Sequence, residues 1–461
     1  MYMRKIWERR LCLVLSLFCL LLLHPTRISA AEYWPEAPEV ESPAVILMEM
    51  STGTIIYEKD SMAQNYPASI TKIMTAMIAL ENSDLNDIVT FSDDAINNTE
   101  GSGIARDYGE QMTMEECLYA VLLASANECA YAVAEHVGGT MEHFVDMMNE
   151  KATELGCVNT HFANPHGLFD ENHYTCCYDM ALISKAAYEN ETFRIMTGTA
   201  RYTIPPTNKH SEQTALQNHN EMLYPWQTLQ WVYEYCTGGK TGYTILARST
   251  LVTYAEKDGM SLVCVVMHTE SPSHWKDSRN LFTYAFDNFQ IYNIADNETK
   301  YDMSEAVEAG TLNNNRSFVD IDQNAGILLP KTTEFSDAVS EIVYDGVNHD
   351  VVGSISYTYA DRIVGRADIV RTGIEVQSYV FDNQLEVPEV GEEKPFTMQI
   401  NPMNVILCGV GAVMVVILIF FVRWLADNYY IIRHNMEVRR NQREQFRVIK
   451  KRQKRRRRHR R

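Results

Sequence analysis

The stretch YPASITKIMTAMIALE, residues 66–81, opens as a helix after Pro67 and, past its first turn, is apolar or small nearly all the way round. Ile70, Ile73, Met74, Met77 and Ile78 form one broad stripe, and Ala76 and Ala79 keep the other side small. Such a helix has to be buried, so the chain must build layers around it. Yet Lys72 sits inside it, one turn after Ser69. Burial penalises the charged form of a lysine and lowers its affinity for the proton. A neutral lysine can then act as base toward a neighbouring hydroxyl. Ser69, at the start of the helix, would have free N–H groups and the helix dipole beside it. Alone the string is weak, because S-x-x-K is common by chance and a lysine near a helix start usually reaches water.

The surroundings supply the layers. AVILMEMSTGTIIYEKD predicts two strands around a Ser-Thr-Gly turn. TMEECLYAVLLASANECAYAVAEHVGG predicts one helical stretch ending at Gly138, and residues 141–156 and 177–196 predict two more helices. YCTGGKTGYT enters a strand, RSTLVTYAEKDGMSLVCVVMHT predicts two strands around KDG, and SRNLFTYAFDNF a last helix. The result is an α/β (α+β) mixture with strands at both sequence ends and helices between. From about residue 300 short alternating runs replace the helical period, which predicts a small β-rich domain over 300–386.

The chain has 461 residues, too many for one ordinary core. Its net charge of −19 is unevenly spread. Arg423 to Arg461 hold 16 Lys or Arg against 3 Asp or Glu, so the preceding body is far more acidic than the total suggests. The start has a basic segment, the 13-residue apolar run Leu11 to Leu23, and small residues around Ala30: a signal peptide over 1–30. Val405 to Val422 is 18 residues without a polar or charged side chain, long enough to span a bilayer. The basic tail over 423–461 then faces the cytoplasm, and the acidic body, with a stalk over 387–404, lies outside a cell membrane crossed once. A basic tail beside a span attracts anionic lipid, and its few aromatics do not favour nucleic acid. Of ten cysteines, seven fall in the body, with no zinc-like spacing; Cys117 and Cys129 look like small core residues.

Two further strings matter. Ser125-Ala126-Asn127 puts a hydroxyl and an amide into an apolar run, where buried polar groups need partners. They serve as a proton relay and a substrate-orienting amide, or as a kink bonded to its own backbone. Lys240-Thr241-Gly242 offers a cation and a hydroxyl for a carboxylate, with a glycine for close backbone approach. Each tripeptide alone is common. In this order S-x-x-K, S-x-N and K-T-G are the signature of penicillin-binding proteins and class A β-lactamases. PASITKIMTA, LLASANECAYAVAEHVGG, MNEKATELGCVNTHFANPHGL, HYTCCYDMALIS and GGKTGYT resemble the D-alanyl-D-alanine carboxypeptidases, the low-molecular-mass penicillin-binding proteins, over about residues 40–290.

The resemblance implies a serine D,D-peptidase/β-lactamase-like catalytic domain over 36–290, then a small all-β domain and a C-terminal anchor. It implies Ser69 as nucleophile on a stem peptide ending in D-Ala-D-Ala, Lys72 as base, and Ser125 as relay to the leaving D-alanine. Asn127 would orient the substrate backbone, and Lys240, Thr241 and Gly242 would hold the terminal carboxylate. The amides of Ser69 and Tyr243 would form the oxyanion hole. β-Lactams would acylate Ser69; no cofactor or metal is implied. The family often has Ala-Gly after KTGYT and an arginine before the last helix; here stand Ala247-Arg248 and His274, Trp275 and Lys276. Arg248 is a possible replacement. His166 and His219 are expected to shape the site. A β-lactamase would need a carboxylate to activate the deacylating water, and 150–200 offers no convincing one. A membrane-anchored β-lactam sensor or scaffold is the other alternative.

Overall fold

The computed structural model describes residues 33–225, 228–298, 319–343 and 351–371. The proposed signal peptide, stalk, span and tail lie outside the described residues. Among the described residues no helix is long and apolar enough to cross a membrane.

Strands β1 (Ala44–Glu49) and β2 (Ile55–Lys59) form the predicted hairpin. They join β7 (Cys236–Thr244), β8 (Arg248–Lys257) and β9 (Met260–Thr269) in a fully antiparallel sheet of order β2-β1-β9-β8-β7. Two small hairpins, β3 (Ile88–Thr90) with β4 (Gln111–Thr113) and β5 (Arg201–Ile204) with β6 (Thr214–Gln217), lie in the intervening sequence. The helices there are α1 (Lys72–Asn82), α2 (Asp93–Asn97), α3 (Met114–Leu123), α4 (Asn127–Gly138), α5 (Met141–Glu154), α6 (Cys177–Glu189) and α7 (Glu191–Gly198).

The two-residue side-chain period of a strand explains the layering. Along β9, Val263, Val265 and Met267 face the helical layer, packing with α1 and α3–α7. The alternate residues Leu262, Cys264 and Val266 face α8 (Ser273–Asn288), with Leu281, Phe282 and Phe286. The sheet is therefore buried on both faces. The α1 helix sits in the first of these cores, with Ile73, Met74, Ala76 and Ala79 fully buried.

Two predicted helices are each broken in two. The run 113–139 stops at Leu123 and restarts at Asn127, and the run 177–196 divides between α6 and α7 at Asn190. In the second case the Asn190 side chain accepts from the Phe193 amide, starting a new helix. In the first, Ser125 adopts φ +61°, a left-handed conformation that helices do not continue through.

Directly after α8 the chain enters a second, six-stranded sheet. It comprises β10 (Phe289–Asn293), β11 (Val319–Ile321), β12 (Gly326–Pro330), β13 (Val339–Val343), β14 (Val351–Tyr359) and β15 (Arg362–Arg371). It has its own core of Ile327, Leu329, Ile355, Tyr357 and Val364. Leu328, on the opposite side of β12, packs instead with Phe286 and Phe289 in the core beneath α8.

Candidate active site

The first turn at residue 66–81 is not α-helical. Ala68–Thr71 is a 3-10 turn that passes into α1 at Lys72. With three residues per turn, positions i and i+3 eclipse. That puts Lys72 directly over Ser69, Nζ to Oγ 3.1 Å. The turn is entered through Ala68 at φ +51°.

The turn is held from behind by loop 162–173. Thr75 Oγ1 donates to Pro165 O (2.6 Å), and Lys72 Nζ donates to His166 O (2.6 Å). His173 Nδ1 accepts from the Ala163 amide (3.0 Å), so its Nε2 carries the proton and donates to Thr71 Oγ1 (2.8 Å). Thr71 in turn donates to Ala68 O (2.8 Å), across the strained residue. Gly167, at φ +85°, packs so closely that a Cβ there would stand 1.9 Å from Ala68 O. Burial holds the His166 and His173 imidazoles at about 3, so both are neutral.

Lys72 is fully buried. Desolvation, then repulsion from Lys240, pushes its pKa well below the usual lysine value. Its Nζ also donates to Asn127 Oδ1 (2.6 Å). Two of its three partners, Asn127 Oδ1 and His166 O, can only accept. A neutral amine has two N–H groups and one lone pair. Both N–H groups are committed to carbonyl oxygens, so the lone pair is left for the Ser69 hydroxyl.

The break between α3 and α4 brings up the second string. Asn127 is tied to loop 100–102: its amide donates to Ser102 O (2.8 Å) and its Nδ2 to Glu100 O. Ser125, 4% exposed and left-handed, turns its hydroxyl to Lys240, whose Nζ lies 3.1 Å from Ser125 Oγ and donates to Thr241 O (2.7 Å). Desolvation lowers Lys240 to about 7.

Lys240, Thr241 and Gly242 lie in the middle of β7, an edge strand whose other side pairs with β8. A Cβ on Gly242 would fall 2.8 Å from the Ser69 amide and 2.4 Å from Thr250 Oγ1, so only glycine lets this strand run against the nucleophile's turn. Thr250 Oγ1 fastens the same turn by donating to Pro67 O (2.8 Å). Tyr243, next along β7, is 62% exposed. The three strings thus converge: Ser69 with Lys72, Ser125 with Lys240, Asn127 bridging to Lys72, and the KTG strand alongside. His219 is held at about 4 by burial and then by Lys240, which puts it near that lysine. Arg248, at the β7–β8 turn with φ +56°, is half-exposed and 3.5 Å from Glu270, so its guanidinium is already engaged. Lys276 pairs with Glu41 on the surface, and His274 is buried against Trp275.

Sequence reasoning missed the brace formed by Thr71, Thr75, Gly167 and His173. The NPHGL string was its signal, since a Pro and a Gly two residues apart mark a shaped loop.

A family model for D-alanyl-D-alanine carboxypeptidase matches residues 31–271, which contain all three strings. The chain belongs to the D-alanyl-D-alanine carboxypeptidase family. D-Alanyl-D-alanine carboxypeptidase DacF of Bacillus subtilis (strain 168) is 35% identical over 259 residues, covering 55% of this chain and 64% of the relative. DacB2 of Mycobacterium tuberculosis is 30% identical over 255 residues, covering 54% of this chain and 84% of the relative. The crystal structure of the Streptomyces K15 DD-transpeptidase superposes with a TM-score of 0.51 at 28% identity, covering 55% of this chain and 100% of that one. The chain spans just under two thirds of the length of the DacF relative.

Proposed function

We propose that the protein removes the terminal D-alanine from peptidoglycan stem pentapeptides through an acyl-enzyme on Ser69. The observation that carries this reading is the commitment of both Lys72 N–H groups to carbonyl oxygens, which leaves its lone pair on the Ser69 hydroxyl. In the forward step Ser69 Oγ attacks the carbonyl between the two D-alanines, and its proton passes to Lys72. The oxyanion is received by the amides of Ser69 and Tyr243. Collapse breaks the peptide bond: Ser125 passes its proton to the leaving amine and takes up the one held by Lys72, which returns to its neutral form, while Lys240 stabilises the hydroxyl. Lys240 and Thr241 bind the terminal carboxylate, Gly242 permits the approach, and Asn127 orients the peptide. Water then hydrolyses the ester. β-Lactams, which mimic the dipeptide, acylate Ser69. The test is D-alanine release from a pentapeptide, and an added amine acceptor distinguishes hydrolysis from the transpeptidation for which the Streptomyces K15 enzyme is named.

The flanking segments support a second part of the same reading. Residues 1–30 are a signal peptide, 405–422 one membrane span, and 423–461 a cytoplasmic tail held near anionic lipid. The body outside the membrane comprises the catalytic domain, up to Asn288, and the small β domain whose sheet starts at Phe289. Protease added to intact cells should remove the body and spare the tail; the reverse would contradict this topology.

A further inference from the structure

The direction of β7 decides where the rest of a bound peptide goes. The terminal carboxylate lies at Lys240 and Thr241, and the scissile carbonyl at Ser69 and Tyr243. The residue preceding the two D-alanines must then lie further along, past Thr244, at roughly 3.3 Å per residue of extended chain. There the β7–β8 turn closes, and a cavity of about 320 Å³ has Leu246 from that turn and Tyr66, three residues before Ser69, in its walls. Asn65, Tyr174 and Glu171 also line it.

Its walls are fixed by the backbone. Asn65 and Thr175 exchange two backbone hydrogen bonds (2.7 and 2.9 Å), and so do His161 and Tyr174 (2.9 and 3.0 Å). The Tyr66 ring stands edge-on to Phe169 at 5.1 Å. Glu171 belongs to a tight turn in which Asn172 N donates to Asp170 Oδ1 (2.7 Å), and two residues later His173 grips Thr71 in the catalytic turn. Among the described residues no cation lies within ion-pair distance of the Glu171 carboxylate, and Arg248 of the neighbouring turn is engaged by Glu270.

We infer that this cavity is the subsite for the residue preceding the D-alanyl pair, and that Glu171 selects an amine-bearing side chain there. The apolar Leu246 and the Tyr66 ring accommodate the methylene stem, and Glu171 meets the ammonium at the rim. The inference rests on the carboxypeptidase reading above.

The test uses full-length protein and three acyl-Lys-D-Ala-D-Ala peptides: free ε-amine, Nε-acetyl and Nε-succinyl. A fourth peptide has glycine in place of the lysine. For the wild type kcat/KM should fall in that order, by about two- to fivefold per step, the size of a partly exposed ion pair. Glu171→Gln should flatten the series and Glu171→Lys invert it, while all three proteins process the glycine peptide alike and share one Tm. A wild type indifferent to side-chain charge, or a Glu171→Lys variant that keeps the wild-type order, overturns the inference. If no peptide, the glycine one included, yields D-alanine, the carboxypeptidase reading fails and takes this inference with it.

Discussion

Two buried lysines serve opposite purposes in the proposed mechanism. There Lys72 is neutral to accept the Ser69 proton, and Lys240 is cationic to hold a carboxylate. Burial lowers both, and the neighbouring Lys240 lowers Lys72 as well. The pH dependence follows. As pH falls through the depressed Lys72 pKa, the base is protonated and kcat/KM drops. As pH rises through about 7, free Lys240 loses its proton and kcat/KM drops again. The macroscopic values belong to the pair. In the complex the substrate carboxylate raises Lys240, so the alkaline limb of kcat should lie at higher pH than that of kcat/KM; coincident limbs would contradict the role given to Lys240. Lys72→Met should slow acylation about 10²–10⁴-fold, measured by single-turnover trapping of a β-lactam. Lys240→Met should act more on KM.

At the scale of elements, the proposed mechanism depends on a helix break and a strained turn. Ser125 holds a left-handed conformation that its side chain does not favour. Ser125→Gly should therefore fold at least as stably as the wild type while losing about 10²–10³-fold in D-alanine release. A variant that keeps activity would remove Ser125 from the mechanism. Gly167 has no room for a methyl group against Ala68 O, so Gly167→Ala should cost about 3 kcal/mol and lower Tm by roughly 5–10 °C. These features also mark where the sequence was and was not legible. Burial of the 66–81 helix followed from its composition, and the pairing of Ser69 with Lys72 from their spacing. The break at Ser125 was hidden because small and apolar residues run on either side of it, and that at Asn190 because Glu189 and Glu191 beside it are ordinary helix formers. A helical period cannot register a single left-handed residue or one side-chain cap. The His173–Thr71–Ala68 chain was invisible for a different reason: His173 lies about a hundred positions from the other two, and no local pattern links them.

On the scale of the whole molecule, strands from both ends of the catalytic sequence meet in one sheet, with β7 at its edge where a peptide can lie along it. That β9 is buried on both faces accords with the unbroken apolar run Leu262 to Met267 in its sequence. The exact start of the second sheet was not legible, because β10 follows α8 without a linker. Leu328 and Phe289 bury themselves in the catalytic unit's core, and Arg362 stacks on Trp34, its Cζ 4.9 Å from the ring centroid. Calorimetry should therefore show the two sheets melting in a single transition; a resolved second peak would contradict their shared core.

The most direct test of the central claim compares D-alanine release from a stem pentapeptide by wild-type protein and by Ser69→Ala, with intact mass measured after exposure to penicillin. The account predicts release and a one-penicillin mass increment for the wild type, and neither for the variant. Release by the Ser69→Ala protein, or a wild type that takes up penicillin at Ser69 yet frees no D-alanine, would contradict it.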